Sequence, residues 1–256
     1  MNDKIILLVS VCVCIIVFII VCIIVYPRNN NNHIQLVISR YNEDLEWLKE
    51  EPFNKYPSIC YNKGKNLDFY RPKNMKVVNI ENVGRCDHTY IYHIVNNYYS
   101  LSKYTMFLPG SCNMENKKYK AIKWLKEFEE RRCSVFVGHK VEKGVKEELY
   151  NFQIDEWVSS DVKNKSINPE NKLQLHDVRP FGKWYENHFG DKQFYYICYS
   201  GVIGADRDRI LERPRSKYIK FMEELNKHSN PEVGHYFERA WAAIFNITDE
   251  NSLIIV

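Results

Sequence analysis

The run from Ile5 to Tyr26 contains no charged residue, and no other feature constrains the fold of this chain so strongly. At a rise of about 1.5 Å per residue, a helix over this run is about 30 Å long, which matches the hydrocarbon core of a bilayer. The rest of the chain is polar enough to give the whole sequence a mean hydropathy of -0.44. The sequence therefore predicts a membrane-spanning helix rather than a soluble cytosolic protein.

The residues after this run contain no small-residue cleavage pattern, so we interpret it as an uncleaved signal anchor rather than a signal peptide. Residues 1–26 are then a short cytoplasmic tail and the anchor, which contacts the lipid bilayer through residues 5–26. Lys4 and Arg28 nearly balance each other under the positive-inside rule. The short tail and the large C-terminal domain favour a single-pass type II protein.

Residues 27–33 are rich in Asn and are predicted to be a linker, and residues 34–256 are predicted to be one folded domain. The net charge of +4 is too small to indicate nucleic-acid binding, so we expect no nucleic-acid partner. The cysteines of the domain are Cys60, Cys86, Cys112, Cys133 and Cys198. An odd number cannot all pair within one chain, so disulfides and reduced thiols both stay open.

Apolar runs typical of strands alternate with helical patterns along the domain. The predicted strands are 34–39, 58–61, 75–80, 104–108, 134–138 and 195–205. The predicted helices are 43–50, 87–99, 117–132, 207–227 with a break allowed at Pro214, and 231–245. This alternation predicts an α/β fold whose mainly parallel sheet is flanked by helices. Because ligands bind beyond the carboxyl ends of such strands, loops 39–44, 82–88 and 109–113 are the candidate site.

Two of these loops carry groups that suit a nucleotide. Asn42, Glu43 and Asp44 follow the first strand, where polar side chains can bind a base or a ribose; alternatively, Asn42 caps a helix and the two acids complement its positive end. Gly84 and Arg85 precede a helix, where free N–H groups, the helix dipole and a guanidinium suit a pyrophosphate. An ordinary turn is the alternative for that segment.

The last predicted helix carries Glu238 at the edge of its apolar stripe, near Trp241. A carboxylate at an apolar margin can have a raised pKa and act as a base, although a structural ion pair is the alternative. The opposite face of the helix is predicted to carry Glu232, His235 and Arg239.

A separate aromatic and basic stretch between 179 and 185 contains three candidate contacts for an acceptor or a phosphate: Arg179, Lys183 and Trp184. Aromatic faces can stack on sugars, and basic side chains bind phosphate. A packed loop is the alternative.

Taken in order, these segments resemble GT-A-fold glycosyltransferases. Their opening strand and nucleotide contact are similar to the stretch VISRYNEDLEWL. The turn, helix and strand that lead to their metal-binding Asp-x-Asp are similar to NVGRCDHTYIYHIVNNYYSLSKYTMFLPGS. YSGVIGADRDRILERP and NPEVGHYFERAWAAIF resemble the acceptor-side strand and the helix with the catalytic carboxylate. More closely, residues 34–245 resemble an uncharacterised family of fungal and large-DNA-virus proteins, which shares the patterns RYNEDLxWL, NVGRExHTYLYHI and GHYFERxWAxIF.

The resemblance implies a GT-A-like, Rossmann-like fold, a nucleotide-sugar donor and Glu238 as the catalytic base. It places the nucleotide-sugar at the following residues: Tyr41, Asn42, Glu43, Asp44, Gly84, Arg85, His88 and Ser111. His235 is a further candidate for a metal or phosphate contact. The chain departs from the pattern where it has Pro109-Gly110-Ser111 instead of Asp-x-Asp, because these residues lack the oxygen ligands that Mn²⁺ or Mg²⁺ prefers.

Two functions of different classes follow. The first is a membrane-anchored glycosyltransferase that transfers a sugar to a glycan, lipid or protein acceptor, with Mn²⁺ or Mg²⁺ as the candidate cofactor and unknown metal ligands. The second, favoured by the missing Asp-x-Asp, is a non-catalytic, membrane-anchored binding or virion surface protein on the same fold. Either protein is expected in a host ER/Golgi-type membrane or a virion membrane.

Overall fold

A computed structural model of the chain describes residues 34–131, 136–157, 172–191, 195–247 and 253–255. These residues belong to one compact unit, His33–Val256. The predicted anchor at 5–26, the linker at 27–33 and Cys133 lie outside the described residues. Within the described ranges, no helix combines the length and the apolar character needed to cross a membrane.

Five strands form the central sheet in the order β3-β2-β1-β4-β7. Their bounds are Ile34–Arg40 for β1, Ser58–Asn62 for β2, Met75–Asn79 for β3, Tyr104–Pro109 for β4 and Ile203–Asp206 for β7. β1 pairs in parallel with β2 and β4, β2 pairs in parallel with β3, and only β7 runs antiparallel to its neighbour within this sheet. The predicted α/β fold with a mainly parallel sheet is therefore confirmed.

A smaller sheet has the order β6-β5-β8, with β5 at Phe136–Lys140, β6 at Tyr196–Ile197 and β8 at Leu253–Ile255. The described α-helices are Arg85–Asn97 (α1), Glu115–Arg131 (α2), Lys146–Tyr150 (α3), Phe181–Phe189 (α4), Arg207–Leu211 (α5), Arg215–Leu225 (α6) and Glu232–Ile244 (α7). Short 3₁₀ turns lie at Glu46–Lys49, Phe53–Lys55 and Lys143–Val145.

Both faces of the central sheet are covered by apolar clusters, because successive side chains of a strand point to opposite faces. On β1, Val37 packs into a cluster with α1, α4, α6 and α7, whereas Leu36 and Ile38 pack into a second cluster with α2. All three side chains are fully buried. A strand buried on both faces and paired on both edges anchors the sheet at its centre.

Two predicted elements differ from the structure, and the break allowed in a third is confirmed. The helix predicted at 43–50 is only the 3₁₀ turn Glu46–Lys49, because Leu45 adopts a left-handed φ of 59° and interrupts the helical path. The strand predicted at 195–205 is divided into β6 and β7, because Ser200 and Gly201 between them have φ values of 76° and 71°. The helix at 207–227 breaks into α5 and α6 at Pro214, as the sequence allowed.

Gly204 on β7 fixes how closely α2 packs on the sheet, and this contact generates a stability prediction. A Cβ at Gly204 would overlap the buried indole of Trp124 on α2. We expect Gly204→Ala to lower the free energy of unfolding by about 1–3 kcal/mol, the usual cost of overpacking. The measurement is urea unfolding followed by circular dichroism.

Gly144→Ala is the matched control, because a Cβ at Gly144 would meet nothing within 4 Å. It should leave the unfolding midpoint nearly unchanged. Equal stability of the two variants would contradict the tight contact between α2 and β7.

Candidate functional site

The parallel strands β1, β2 and β4 bring the loops that follow them to one edge of the sheet. The backbone N–H of Gly110 donates to the Ser39 carbonyl at 2.7 Å, and that of Lys63 donates to the Arg40 carbonyl at 2.8 Å. The fully buried Arg40 fixes the same region, since its Nη1 donates to Asn62 Oδ1 at 2.6 Å. The three loops therefore form one continuous surface.

Glu43 organises the loop after β1 from within. Its Oε2 accepts hydrogen bonds from the backbone N–H groups of Tyr41 at 2.7 Å and Asn42 at 3.1 Å. The same carboxylate lies against Gly110, where a Cβ would come within 2.6 Å of Oε2. Glu43 thus holds the backbone of this loop beside the end of β4, and the loop presents Asn42 next to Gly64.

Lys63 connects the end of β2 to the turn before α1. Its ammonium donates to the Val83 carbonyl at 2.6 Å and also to the Arg85 carbonyl. Burial lowers the pKa of Lys63 to about 7, although nearby Cys86 and Asp87 oppose that shift. The lysine holds the turn in the position from which Arg85 reaches the site.

The turn itself requires glycine at position 84. Gly84 has a φ of 58° and forms the N-terminal boundary of α1, and a Cβ there would overlap the carbonyl of Leu225. The next residue, Arg85, also adopts a left-handed φ of 53°. Non-glycine residues in this region are uncommon and concentrate at functional sites.

The Arg85 guanidinium joins α1 to α7. Its Cζ lies 3.6 Å from the ring centroid of Trp157, and its Nη1 lies 2.8 Å from Nε2 of His235. Burial, followed by the charges of Arg85 and Arg239, lowers the pKa of His235 to about 3. The imidazole is therefore neutral, and since arginine only donates, Nε2 is the acceptor and the proton lies on Nδ1. Nδ1 faces Glu238 Oε2 at 3.8 Å.

Two acidic residues lie beside this arrangement, and they differ in exposure. Asp87 is 1% exposed and accepts a hydrogen bond from Trp241 Nε1 at 2.8 Å. Burial raises the pKa of Asp87 to about 7, with the charge of Glu238 as the second cause. The Glu238 side chain is 19% exposed and is therefore the carboxylate that an external group can reach.

The cations at this edge are not neutralised. Within the described ranges, no carboxylate lies within ion-pair distance of Lys63, Arg85, Lys117, Lys120 or Arg239. They contact carbonyls, hydroxyls, imidazoles and aromatic rings instead: Lys117 Nζ lies 2.8 Å from Ser111 Oγ, and Arg239 Cζ lies 3.3 Å from the Phe152 ring. Such a surface attracts anions.

The structure brings together most of the residues that the sequence indicated. Those at the carboxyl edge of the sheet are Tyr41, Asn42, Glu43, Gly84, Arg85, Ser111, His235 and Glu238. His88 lies in the first turn of α1 and is 5% exposed, and burial followed by Lys63 lowers its pKa to about 3. Asp44 instead caps the 3₁₀ turn, accepting from the Glu46 N–H at 3.1 Å, so Asn42 is not the cap.

The aromatic and basic stretch lies elsewhere, which corrects its assignment to an acceptor. Trp184 is fully buried in α4 and donates to Glu224 at 2.8 Å, so neither ring face is open to a sugar. Arg179 is held by Asp155 at 2.7 Å and by Glu232 at 2.9 Å, while Lys183 is exposed on α4. Glu232 is fully buried in this ion pair.

Four residues of the site were not identified from the sequence: Lys63, Asp87, Lys117 and Lys120. A signal was present for Lys63, which directly follows a strand that ends at the candidate edge. Lys117 and Lys120 stand three residues apart on α2, which places them on one helix face. No pattern in one sequence distinguishes such a pair from the other lysines of α2.

The described side chains do not fit a divalent cation. Nowhere in the described part of the chain do three His, Cys, Asp or Glu side chains stand close enough to hold an ion. At the end of β4, where an Asp-x-Asp would stand, the Ser111 hydroxyl instead contacts the Lys117 ammonium. A cation occupies the place at which metal-binding carboxylates would be needed.

Comparison with known proteins identifies a family but no activity. A sequence model described as "Protein of unknown function (DUF3431)" matches residues 36–252, which includes every element of the site. The match confirms the expected relationship to an uncharacterised family. No curated protein matches the chain.

The buried Asp87 generates a prediction for the pH dependence of stability. An aspartate titrates near 3.9 in an unfolded chain, whereas Asp87 in the folded protein titrates near 7. Between these values the folded protein retains a proton that the unfolded chain has released, so this residue lowers the free energy of unfolding as pH rises. Asp87→Asn removes the titration and retains an acceptor for Trp241. We expect its stability relative to wild type to increase between pH 5 and pH 8.

Urea titrations at the two pH values measure this difference. Asp208→Asn, at an exposed position, controls for the loss of one surface carboxylate. A relative stability of Asp87→Asn that falls or stays constant over this pH range would contradict the proton on Asp87.

Proposed function

This chain belongs to the DUF3431 family of proteins of unknown function, and we propose that it is a membrane-anchored glycosyltransferase. In this proposal it transfers a sugar from a nucleotide-sugar donor to a glycan, lipid or protein acceptor on a GT-A-like fold. One observation carries the proposal: cations without carboxylate partners surround an accessible glutamate at the carboxyl edge of a parallel sheet.

The cations suit the diphosphate of a nucleotide-sugar. Arg85 can offer paired N–H donors to phosphate oxygens, and Lys117 contributes a compact charge, while Lys63 holds the turn that carries Arg85. As the bond from sugar to diphosphate breaks, negative charge grows on the departing diphosphate. Fixed cations that lie in place before this step stabilise its transition state. They therefore perform the task that bound metal ions perform in many phosphate sites.

The loop after β1 is suited to the nucleoside. Glu43 fixes the backbone of Tyr41 and Asn42, which leaves the Asn42 amide as a polar group beside Gly64. Amide side chains both donate and accept hydrogen bonds, so they can bind a base or a ribose hydroxyl. The nucleoside would lie over this loop, and the diphosphate would extend toward Arg85.

Glu238 is the proposed base. It accepts the proton of an acceptor hydroxyl, whose oxygen forms a bond to the sugar carbon while the bond from that carbon to the diphosphate breaks. The bonding electrons leave with the nucleoside diphosphate. The buried Asp87 is nearby, and Trp241 holds its carboxyl group in place. His235 faces Glu238 and contacts Arg85, so it connects the proposed base to the diphosphate site.

The predicted anchor limits where the acceptor can be. The predicted linker, residues 27–33, leaves only a few residues between the predicted anchor and the first strand. A type II protein with such a short linker holds its site near the bilayer of an ER/Golgi-type or virion membrane. Acceptors that are attached to lipid or borne on the membrane are therefore favoured within the proposed function.

Nucleotide binding is the first test of the proposal. Nucleoside diphosphates should bind the purified chain, and Arg85→Gln should weaken binding by about ten- to a hundredfold, the usual effect of losing a hydrogen bond to a charged group. Arg207→Gln, at a position 44% exposed and away from the site, is the matched control and should bind as wild type does. Isothermal titration calorimetry measures both, with and without Mn²⁺.

Turnover is the second part of the same test. Glu238→Gln should bind the donor as wild type does but transfer or hydrolyse it about 10²–10⁴-fold more slowly, the range for loss of a general base. If no nucleoside diphosphate binds under any metal condition, the proposal fails. Binding without turnover in the wild-type chain would favour the non-catalytic binding protein instead.

A further inference from the structure

A second basic group lies beside the loop between β6 and β7, separate from Arg85. Lys120 on α2 places its Nζ 3.2 Å from Ser200 Oγ and 3.4 Å from Nε2 of His139 on β5. All three side chains are half-buried, so solvent and solutes can reach them. Within the described ranges, Lys120 contacts no carboxylate. Its charge is therefore available to an external anion.

The loop that carries Ser200 is held in a specific conformation. Ser200 has a φ of 76°, and Gly201 has a φ of 71°. The Tyr90 hydroxyl donates to the Gly201 carbonyl at 2.7 Å, and a Cβ at Gly201 would come within 3.1 Å of Cys86 Sγ. A left-handed serine is strained and persists only where surrounding contacts impose it. The loop thereby fixes the Ser200 hydroxyl beside Lys120.

This group lies close to the proposed base. The residue at the end of β6, Cys198, donates its backbone N–H to the carbonyl of Glu238 at 3.0 Å. The Arg239 guanidinium lies 5.2 Å from the ring of Tyr199, which is itself 6.2 Å from the His139 ring. The segment that carries Ser200 is thus hydrogen-bonded to the helix that carries Glu238, and the charges of Lys120 and Glu238 both act on Cys198. A ligand bound at Lys120 would therefore place its neighbouring atoms toward the base.

Two lysines on one face of α2 contact different parts of the site. Lys117 is directed to Ser111 at the end of β4, and Lys120 is directed to Ser200. Two lysines three residues apart on a helix repel each other, and neither is compensated by a carboxylate contact in the described residues. A pair of anions, one at each lysine, would remove this repulsion.

We propose that Lys120 and Ser200 bind a phosphate group carried by the acceptor substrate, with His139 positioning the Lys120 ammonium. The inference rests on the proposed glycosyltransferase function, because it assigns the second anion to the acceptor. The Lys120 ammonium and the Ser200 hydroxyl can donate to different oxygens of one phosphate, while Nε2 of His139 accepts from Lys120 and holds it in place. The acceptor hydroxyl would lie near the bound phosphate, within reach of Glu238.

Binding of inorganic phosphate to the full chain in detergent tests the site. With a saturating nucleoside diphosphate present, phosphate should still bind, as followed by calorimetry. Lys120→Gln should weaken this binding at least tenfold, and Ser200→Gly should weaken it while relieving the left-handed backbone, so that misfolding does not explain the loss. Lys126→Gln, an exposed lysine on the same helix paired with Glu130, is the matched control and should have no effect.

The two proposals fail in different ways. Phosphate that the nucleoside diphosphate displaces, or that binds equally well to Lys120→Gln, would overturn the second site while leaving the donor site intact. Arg85→Gln should weaken nucleotide binding and leave phosphate binding at Lys120 unchanged. The chain could also bind phosphate through Lys120 and yet bind no nucleotide. That result would support a phosphate site at Lys120 but overturn its assignment to the acceptor of a glycosyltransferase.

The source of the phosphate is distinguished by competition. Micelles that contain lysophosphatidate, which carries both a phosphate and a free hydroxyl, should displace inorganic phosphate from the wild-type chain if the acceptor is a lipid phosphate. Soluble hexose 1-phosphate should displace it if the acceptor is a free sugar phosphate. Failure of both to compete would overturn the assignment to an acceptor phosphate.

Discussion

The parallel pairing of β1 on both of its edges is the constraint on which the rest of the structure depends. Because β2 and β4 run in the same direction as β1, all three strands end at one edge. The following loops must then meet there, and hydrogen bonds of Ser39 and Arg40 with those loops connect them. β1 can occupy this central position because Val37 and its neighbours are apolar on both faces. The site is thus a consequence of how the core is built.

Close contact between α1 and α7 determines the electrostatics of that edge. A Cβ at Gly234 would lie 3.5 Å from Arg85 Cδ and 3.8 Å from Asp87 Oδ2, so the two charged side chains pack directly against this part of α7. The contact buries Asp87 against Trp241, and burial favours its neutral form. Glu238 therefore remains the accessible carboxylate among several cations. A structural ion pair would have neutralised these cations, as Arg179 and Glu232 neutralise each other in the same protein.

The fold could be predicted from the sequence more completely than the site. Strand alternation predicted β1 to β4 within two residues at each end, because buried parallel strands are short apolar runs between polar loops. The same periodicity could not reveal that Ser200 would adopt a left-handed conformation, which depends on tertiary contacts such as that of Tyr90 with Gly201. Trp184 was misjudged for a related reason: composition identifies an aromatic residue but not whether its ring is covered. Lys120 could be recognised as a site residue only once the position of β5 relative to α2 was known, and no local sequence pattern contains that position.

The segment after β4 lacks the Asp-x-Asp of the GT-A pattern, and the contacts made there have a consequence for the proposed reaction. Where acidic residues would bind an exchangeable metal ion, the chain places Ser111 against the ammonium of Lys117. A metal ion arrives with a ligand and can leave with it, whereas a lysine remains part of the protein throughout each cycle. In the proposed reaction, the affinity for the diphosphate then depends on covalently fixed charges, so product release must overcome the full attraction of those charges. Lys117 is half-exposed, and its contact with solvent moderates that attraction, which suits a site that has to release its product.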